Sequence, residues 1–441
     1  MSTMPQYNSE MQRYLGNNNT ISTAFYGQAL APRGSVADAL EGTGSWMNAI
    51  RMSLLGSVDL FGQSRTNYLV GNTPGSLNSF ALEARLNIDA TVNEWVSAHA
   101  SGLYASNGTR STNSSTNFDN DFTGRQPSGI QAGYGSRYYA TAANATNGDL
   151  DQAYITLGNT RSYIPFSLTL GRQYYSFGQY DLNTMWPTLT QEFSELRGTG
   201  VEARYNGNLG TNNVGVIKAR VYALNGLNRV SRNDNLVRNY GIELGYGNYR
   251  HPFGVDLSAG LVANMNDVGI ISVQRISLTN NTIRVRSGYN KSVPGLAVNG
   301  NISFNQQLFL SGQYVGALRG FNRNDFVYSG FASSTKQARP SAYMVKGGYR
   351  FKMYNRASQL ALSYQGTSQA SATPGVLGNT AGTLATFNLP KHRYNAELNV
   401  GVLKNTQFSL LANYDQAYKT SDNNTGRDSF TGMARMSVFL S

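Results

Sequence analysis

The chain has no cysteine, only three histidines and three tryptophans, and only 11 prolines among 441 residues. The missing cysteine excludes a disulfide framework but leaves the compartment open, because many envelope proteins avoid cysteine too. No run approaches the roughly 20 apolar residues that a membrane helix needs, so helical spans are excluded. His99, His251 and His392 fall in no metal-ligand spacing, and neither G-x-S-x-G nor G-x-x-x-x-G-K-[ST] is present. These absences point to no metal, no cofactor and no enzyme. An Asp–His or Ser–His–Asn arrangement around His99 is the catalytic alternative, and it has no local signature. His392, between Lys391 and Arg393, reads as a loop-base residue.

What is plentiful is Gly (47) and Tyr (28), with much Asn and Ser, 40% hydrophobic residues and a mean hydropathy of -0.36. That mixture is poor for helices and suits many strands joined by polar loops. Between Phe80 and Val92 the apolar residues fall on every second position, with Glu83, Arg85, Asn87, Asp89 and Thr91 between them. After 93–94 the alternation restarts at Val96, Ala98 and Ala100. Period two is strand period, and two long runs with a short connector read as a hairpin. Such a ribbon either packs one face on a soluble core or turns its apolar face to lipid and its polar face to a lumen.

The pattern recurs along the whole chain, as in Val201–Tyr205, Ile217–Ala223, Tyr240–Tyr246, Val255–Ala263, Tyr343–Phe351, Tyr394–Val402 and Phe408–Tyr414. Its apolar face ends repeatedly in tyrosine, at Tyr104, Tyr205, Tyr246, Tyr289, Tyr314, Tyr349, Tyr364 and Tyr414. Aromatics at the rims of an apolar band form the girdle of a transmembrane barrel. A soluble all-β chain of this length needs two or more domains, and no linker divides this one. The expected fold is therefore an all-β transmembrane antiparallel β-barrel in the bacterial outer membrane. Short connectors near 92–94, 159–164, 206–213, 248–252, 280–281, 305–306, 354–356 and 404–405 alternate with longer ones, 61–76 and 264–268 among them. This predicts 18 strands, with short periplasmic turns and long extracellular loops. Sixteen is the alternative, because 50–60 and 270–279 carry the weakest patterns. Residues 46–441 form the barrel; residues 1–45 mix helical spacing with Gly and are read as a periplasmic tail or a lumen plug. No basic segment followed by an apolar one precedes Tyr7, as expected for a mature form whose signal has been removed.

The net charge is +12. The register aims Arg85, Arg204, Lys218, Arg220, Arg284, Arg286, Lys346, Arg350, Lys352 and Arg435 into the lumen. Two readings stand. The cations form a basic strip that guides carboxylate or phosphate solutes, or they form a structural ladder with Glu202, Glu243, Asp256 and Glu397. Loop cations Arg319, Arg323, Lys336, Arg339, Lys391 and Arg393 extend the strip outward. The expected partners are outer-membrane lipid and lipopolysaccharide and a small anionic solute, with no nucleic acid. Monomer and trimer both remain open.

One segment, Gly171 to Tyr205, joins Trp186, Pro187 and Phe193 to Glu192, Glu195 and Arg197. Apolar, charged and Pro residues together predict a loop folded into the pore. Gly171-Arg172-Gln173, Phe177-Gly178, Pro187-Thr188-Leu189-Thr190, Glu192 and the Glu195–Arg197 cluster resemble the TonB-independent outer-membrane siderophore porins typified by the legiobactin receptor. The likeness covers about thirty-five residues. The family's acidic–Thr–Arg–acidic order is replaced here by Ser194-Glu195-Leu196-Arg197-Gly198, and Tyr14-Leu15-Gly16 echoes its N-terminal segment only loosely. The resemblance implies uptake of a ferric polycarboxylate siderophore, or of iron itself. The function expected is an outer-membrane channel for small anionic solutes; a general diffusion porin and a surface adhesin with partner-binding loops are the alternatives.

Overall fold

The computed structural model describes residues 51–70, 73–92, 95–109, 146–158, 166–175, 177–178, 188–209, 215–225, 237, 239–248, 252–272, 275–279, 282–286, 292–305, 307–321, 337–370, 389–403, 405–419 and 426–440. The expected tail or plug at 1–45 lies outside these residues.

Sixteen antiparallel strands close into one barrel. In chain order the first nine are β1 (Arg51–Val70), β2 (Thr73–Thr91), β3 (Val96–Thr109), β4 (Thr146–Leu157), β5 (Phe166–Tyr175), β6 (Leu196–Leu209), β7 (Gly215–Asn225), β8 (Asn239–Asn248) and β9 (Phe253–Val262). Two short strands, β10 (Arg275–Thr279) and β11 (Thr282–Arg286), pair only with each other. The wall resumes with β12 (Gly295–Phe304), β13 (Leu308–Ala317), β14 (Ser341–Met353), β15 (Arg356–Ser368), β16 (His392–Leu403), β17 (Thr406–Gln416) and β18 (Ser429–Leu440). β18 pairs with β1 from Gly56↔Leu440 to Arg65↔Thr431, which closes the ring.

The expected count of 18 is corrected to 16. β9 pairs directly with β12, so 263–294 is one excursion from the wall rather than two more strands. The reason is length. A strand needs about 9–11 residues to cross the hydrocarbon, and β10 and β11 have five each. Their period-two pattern is real, but it belongs to a small separate ribbon. Arg284 and Arg286 stand on β11 and so are not part of the barrel wall. A second correction concerns 61–76, expected as a long loop. β1 and β2 instead run on to Val70 and back from Thr73, still paired at Val70↔Thr73.

Alternation sorts the wall strands whose side chains are described. On β8, Tyr240, Ile242 and Leu244 are exposed on the outer face, while Asn239 and Gly247 are buried. On β17, Phe408, Leu410 and Tyr414 are exposed, while Ser409, Leu411, Asn413 and Asp415 are buried. The outer face is an apolar band that ends in aromatics. Tyr364, Tyr394 and Tyr414 pack in a row with ring centroids 5.2 and 6.2 Å apart. Phe253 and Phe304 meet at 5.1 Å on strand ends beside the short turns. The short turns lie at the end where β1 begins and β18 finishes, which is the periplasmic end of a barrel of this type.

Register gives the first prediction. Leu257 faces lipid midway along β9, and its neighbour Ser258 faces inward next to Asn299. Leu257→Arg should cost about 2–4 kcal/mol, the range for Arg at the bilayer midplane. Ser258→Arg should cost clearly less. Urea unfolding of the refolded barrel, followed by the gel shift of unboiled protein, measures both; equal losses would contradict the register.

Candidate functional site

The inner wall is polar along its middle. Several of its cations have an acidic partner. Arg220 Nη1 lies 3.2 Å from Glu243 Oε2, and Lys218 Nζ lies 2.9 Å from Asp256 Oδ2. Arg204 binds Glu202 on its own strand and donates to Gln173 Oε1 at 3.5 Å. On the other side of the wall Arg393, expected as a loop cation, stands on β16 and grips Asp415 with two bonds of 2.7 and 3.0 Å, and Lys346 Nζ is 3.9 Å from Glu397 Oε2. Asp59 accepts from Ser437 across the closing seam. The ladder with Glu202, Glu243, Asp256 and Glu397 thus coexists with the expected cation strip. Burying a charge is costly without a partner, and antiparallel register sets these partners within reach.

Nearer the periplasmic end the wall changes character. Arg350 stacks over the Phe309 ring at 4.5 Å and donates to Gln359 Oε1 at 3.4 Å. Lys352, two positions on along the same face, is exposed. Arg435 is buried on β18. The side chains of Arg85 and Arg197, and Trp186 altogether, lie outside the described residues.

The loop between β5 and β6 enters the barrel. Its helix α1 (Leu189–Ser194) is buried throughout. Thr188 caps it, its hydroxyl accepting from Gln191 N at 3.1 Å, and Thr188-x-x-Gln191 matches the capping-box spacing. Gln191 Nε2 donates to Glu195 Oε2 one turn on, at 3.2 Å. Leu189 and Phe193 share one face of the helix by their spacing of four. The helix is pinned to the opposite wall: Leu189 N donates to Gln365 Oε1 at 2.7 Å and Thr190 Oγ1 to Gln313 Oε1 at 2.5 Å. Glu192 and Glu195 are buried with it.

Around α1 lies a fully apolar cluster. Phe177, Leu189 and Phe193 come from this loop, and Met265, Val268, Ile271 and Val293 from 263–294. Phe321, Ala338, Ala370 and Leu389 come from the loops after β13 and β15. The wall contributes Tyr175, Leu196, Tyr222, Leu224, Val262, Ala297, Val315 and Ala342, all toward the extracellular ends of their strands. Tyr222 fits only because β8 has glycine opposite it; a Cβ on Gly241 would stand 2.3 Å from the Tyr222 ring. Residues 264–272 form two 3-10 turns that dock on α1, with Gly269 N donating to Glu195 O at 2.8 Å. Asn239 holds the start of this segment, accepting from Asn264 N at 3.1 Å and donating to Asn264 O at 2.7 Å. Sequence reasoning took 264–268 for one of the longer, extracellular connectors. The signal was Met265, Val268 and Ile271, apolar residues where a solvated loop has none.

His99 pairs with Asp89 at 2.6 Å and stacks on Tyr154 at 4.8 Å. Ser101 lies on the same face two residues on, yet neither His99 Nε2 nor Ser101 Oγ has a hydrogen bond among the described residues. The Asp–His arrangement read from sequence exists here as a pair without a hydrogen-bonded nucleophile.

No family model matches the chain. A UPF0422 protein of Coxiella burnetii is 27% identical over 279 residues, covering 63% of this chain and 53% of that protein. A UPF0422 protein of Legionella pneumophila is 23% identical over 280 residues, covering 61% and 47%. The chain spans about half the length of the curated relatives it matches. Among solved structures, OprB of Pseudomonas putida superposes with a TM-score of 0.50 at 11% identity, covering 89% of this chain and 95% of that one. The anion-selective porin of Comamonas acidovorans gives 0.50 at 10% identity, covering 89% and 100%. The likeness is one of fold. Together with the lipid-facing band and the closed sheet, it places the barrel in the bacterial outer membrane, embedded in lipid and lipopolysaccharide.

The doubly bonded Arg393–Asp415 pair carries the prediction of this section. Asp415→Asn leaves a buried cation with a weakened partner and should destabilise the barrel strongly, toward the roughly 3–5 kcal/mol seen when a buried pair is broken. Replacing both residues with leucine should cost less than the single change. The denaturant midpoints of the three variants decide this.

Proposed function

We propose that the protein is an outer-membrane channel for small polar solutes with a preference for anions. The polar inner wall of a closed 16-strand barrel is the observation that carries this reading. The preference rests on the cations of the inner wall, Arg350 and Lys352 near the periplasmic end among them, in a chain of net charge +12. A ferric polycarboxylate siderophore is the particular anion suggested by the resemblance of Gly171–Tyr205, and the basic residues are compatible with it. General diffusion without selectivity is the second reading, favoured by the near balance of charge along the wall. No catalytic role is proposed.

Reversal potentials in a planar bilayer under a salt gradient test the preference. The expected result is anion selectivity that falls when Arg350 and Lys352 are both changed to Gln, because their field acts within about one Debye length, roughly 8 Å at physiological salt. Ferric citrate added on one side should reduce the current in the wild type more than in the double variant. Equal permeability for both ions, with no effect of ferric citrate, would leave general diffusion as the function.

A further inference from the structure

Among the described strands, only β10 and β11 stand outside the wall. Two residues, Asn280 and Asn281, join them, and Thr279↔Thr282 is the first pair after the turn. Residues directly opposite each other in an antiparallel pair share a face, and so do alternate residues along a strand. Arg275↔Arg286 and Ser277↔Arg284 therefore place three arginines and a serine on one face, while Ile276↔Val285 and Leu278↔Ile283 fill the other. Direct partners such as Arg275 and Arg286 have Cβ atoms about 5 Å apart, and Arg284 lies within about 8 Å of both. Like charges directly opposite destabilise a ribbon, and a lone hairpin is marginal in water to begin with. Arginine cannot relieve the repulsion by losing its proton. The sequence supplies no acid nearby: between Asp267 and Asp325 there is no Asp or Glu. Asp267 is itself buried and accepts from Asn264 Nδ2 at 3.1 Å. The face calls for a counter-anion. The ribbon is also rooted at the extracellular end of the barrel, because it follows β9 and precedes β12 at their ends away from the short turns. Ile271 is buried in the cluster around α1. Four residues of chain span at most about 14 Å, so Arg275 stands at the mouth.

We propose that the arginine face of this ribbon is a phosphate-binding site at the extracellular mouth, held by Arg275, Arg284 and Arg286. A phosphate group concentrates close to two negative charges and three acceptor oxygens in one tetrahedral head. Guanidinium forks rooted about 5–8 Å apart can converge on such a head, each aligning paired N–H donors with its oxygens. A carboxylate brings a single charge and two oxygens, and neutralises the face less. Ser277, on the same face, adds a hydroxyl donor. Two sources offer this chemistry at the mouth: free phosphate or a phosphate ester in the medium, and the phosphorylated head group of outer-leaflet lipopolysaccharide. The site is separate from the inner wall and does not depend on the channel reading.

The test reads binding to the full chain, refolded in detergent. Isothermal titration with inorganic phosphate is compared with acetate at matched ionic strength. The test variant carries Arg275→Gln, Arg284→Gln and Arg286→Gln, which keep that face polar. A charge-matched control carries Arg356→Gln, Lys419→Gln and Arg427→Gln at exposed positions elsewhere. Wild type and control should bind phosphate alike and several-fold more tightly than acetate, and the test variant should bind it several-fold more weakly. Arg275→Lys, Arg284→Lys and Arg286→Lys together keep the charge without the fork and should restore only part of the affinity. In a second arm the barrel is mixed with phosphorylated lipid A or with lipid A stripped of its phosphates and passed through gel filtration. Retained lipid is measured by its hydroxy fatty acids. Tight binding of inorganic phosphate with equal retention of both lipids identifies free phosphate as the ligand. Several-fold greater retention of the phosphorylated lipid, lost in the test variant, identifies the head group. The gel shift of unboiled protein shows which variants have folded; where the test variant fails to fold, Arg286→Gln alone, which removes the opposed pair, takes its place. Binding in the test variant equal to that of the wild type, or a wild type with no preference for phosphate in either arm, overturns the site. Neither arm reads conduction, so the channel reading stands or falls separately.

Discussion

The whole structure depends on satisfying the backbone in lipid. Hydrocarbon offers no partner to an amide or a carbonyl, so a sheet in the membrane must have no free edge. The seam between β1 and β18 meets that demand, with continuous register from Gly56↔Leu440 to Arg65↔Thr431. Once the ring is closed, alternation leaves no choice about faces. Leu54, Val58 and Leu60 go to lipid, and Ser57 and Asp59 go inward. One residue of slip would send Asp59 into hydrocarbon. Closure thus fixes both the outer band and the chemistry of the inner wall.

The inner wall then faces its own constraint, which is how to hold charge in a narrow space. Cross-strand pairing solves it in the middle of the barrel. Arg220 and Glu243 are direct register partners, and Lys218 reaches Asp256 across β8 at the level of Gly245, which offers no side chain in between. Toward the extracellular end the solution changes. There the wall turns apolar and the loops pack on it, and the loop backbone that enters is curled into α1 and the 3-10 turns, which satisfy much of their own hydrogen bonding. Polar side chains supply the rest: Gln365, Gln313 and Asn239 each meet loop groups that the short turns leave over.

Much of this was legible in the sequence because period two is a local property. The band Phe80–Val92, the girdle tyrosines and most strand positions follow from counting alternate residues. The barrel count was less legible because the same count cannot tell a wall strand from a ribbon. Ile276, Leu278, Ile283 and Val285 alternate as well as any wall strand, and only the short span of β10 and β11 separates the two cases. The closeness of Arg204 to Glu202 is written in their spacing of two. The pairing of Lys346 with Glu397 is not, because it needs the register of three strands at once. The apolar cluster around α1 was the least legible feature. Its members are scattered from Phe177 to Leu389, and what unites them is the third dimension.

The two ends of the barrel differ in what they can select. A cation with an acid about 3 Å away acts on a passing solute as a dipole, whose field falls off faster than that of a single charge. These paired mid-wall cations therefore contribute little at the distance of the axis. Arg350 stands nearer the periplasmic end, stacked on an aromatic ring and bonded to an amide. Toward the outside the inward loops carry Glu192, Glu195 and Asp267 in buried positions. On the proposed reading the anion preference is therefore set near the periplasmic end, because carboxylates repel a passing anion and cannot favour it.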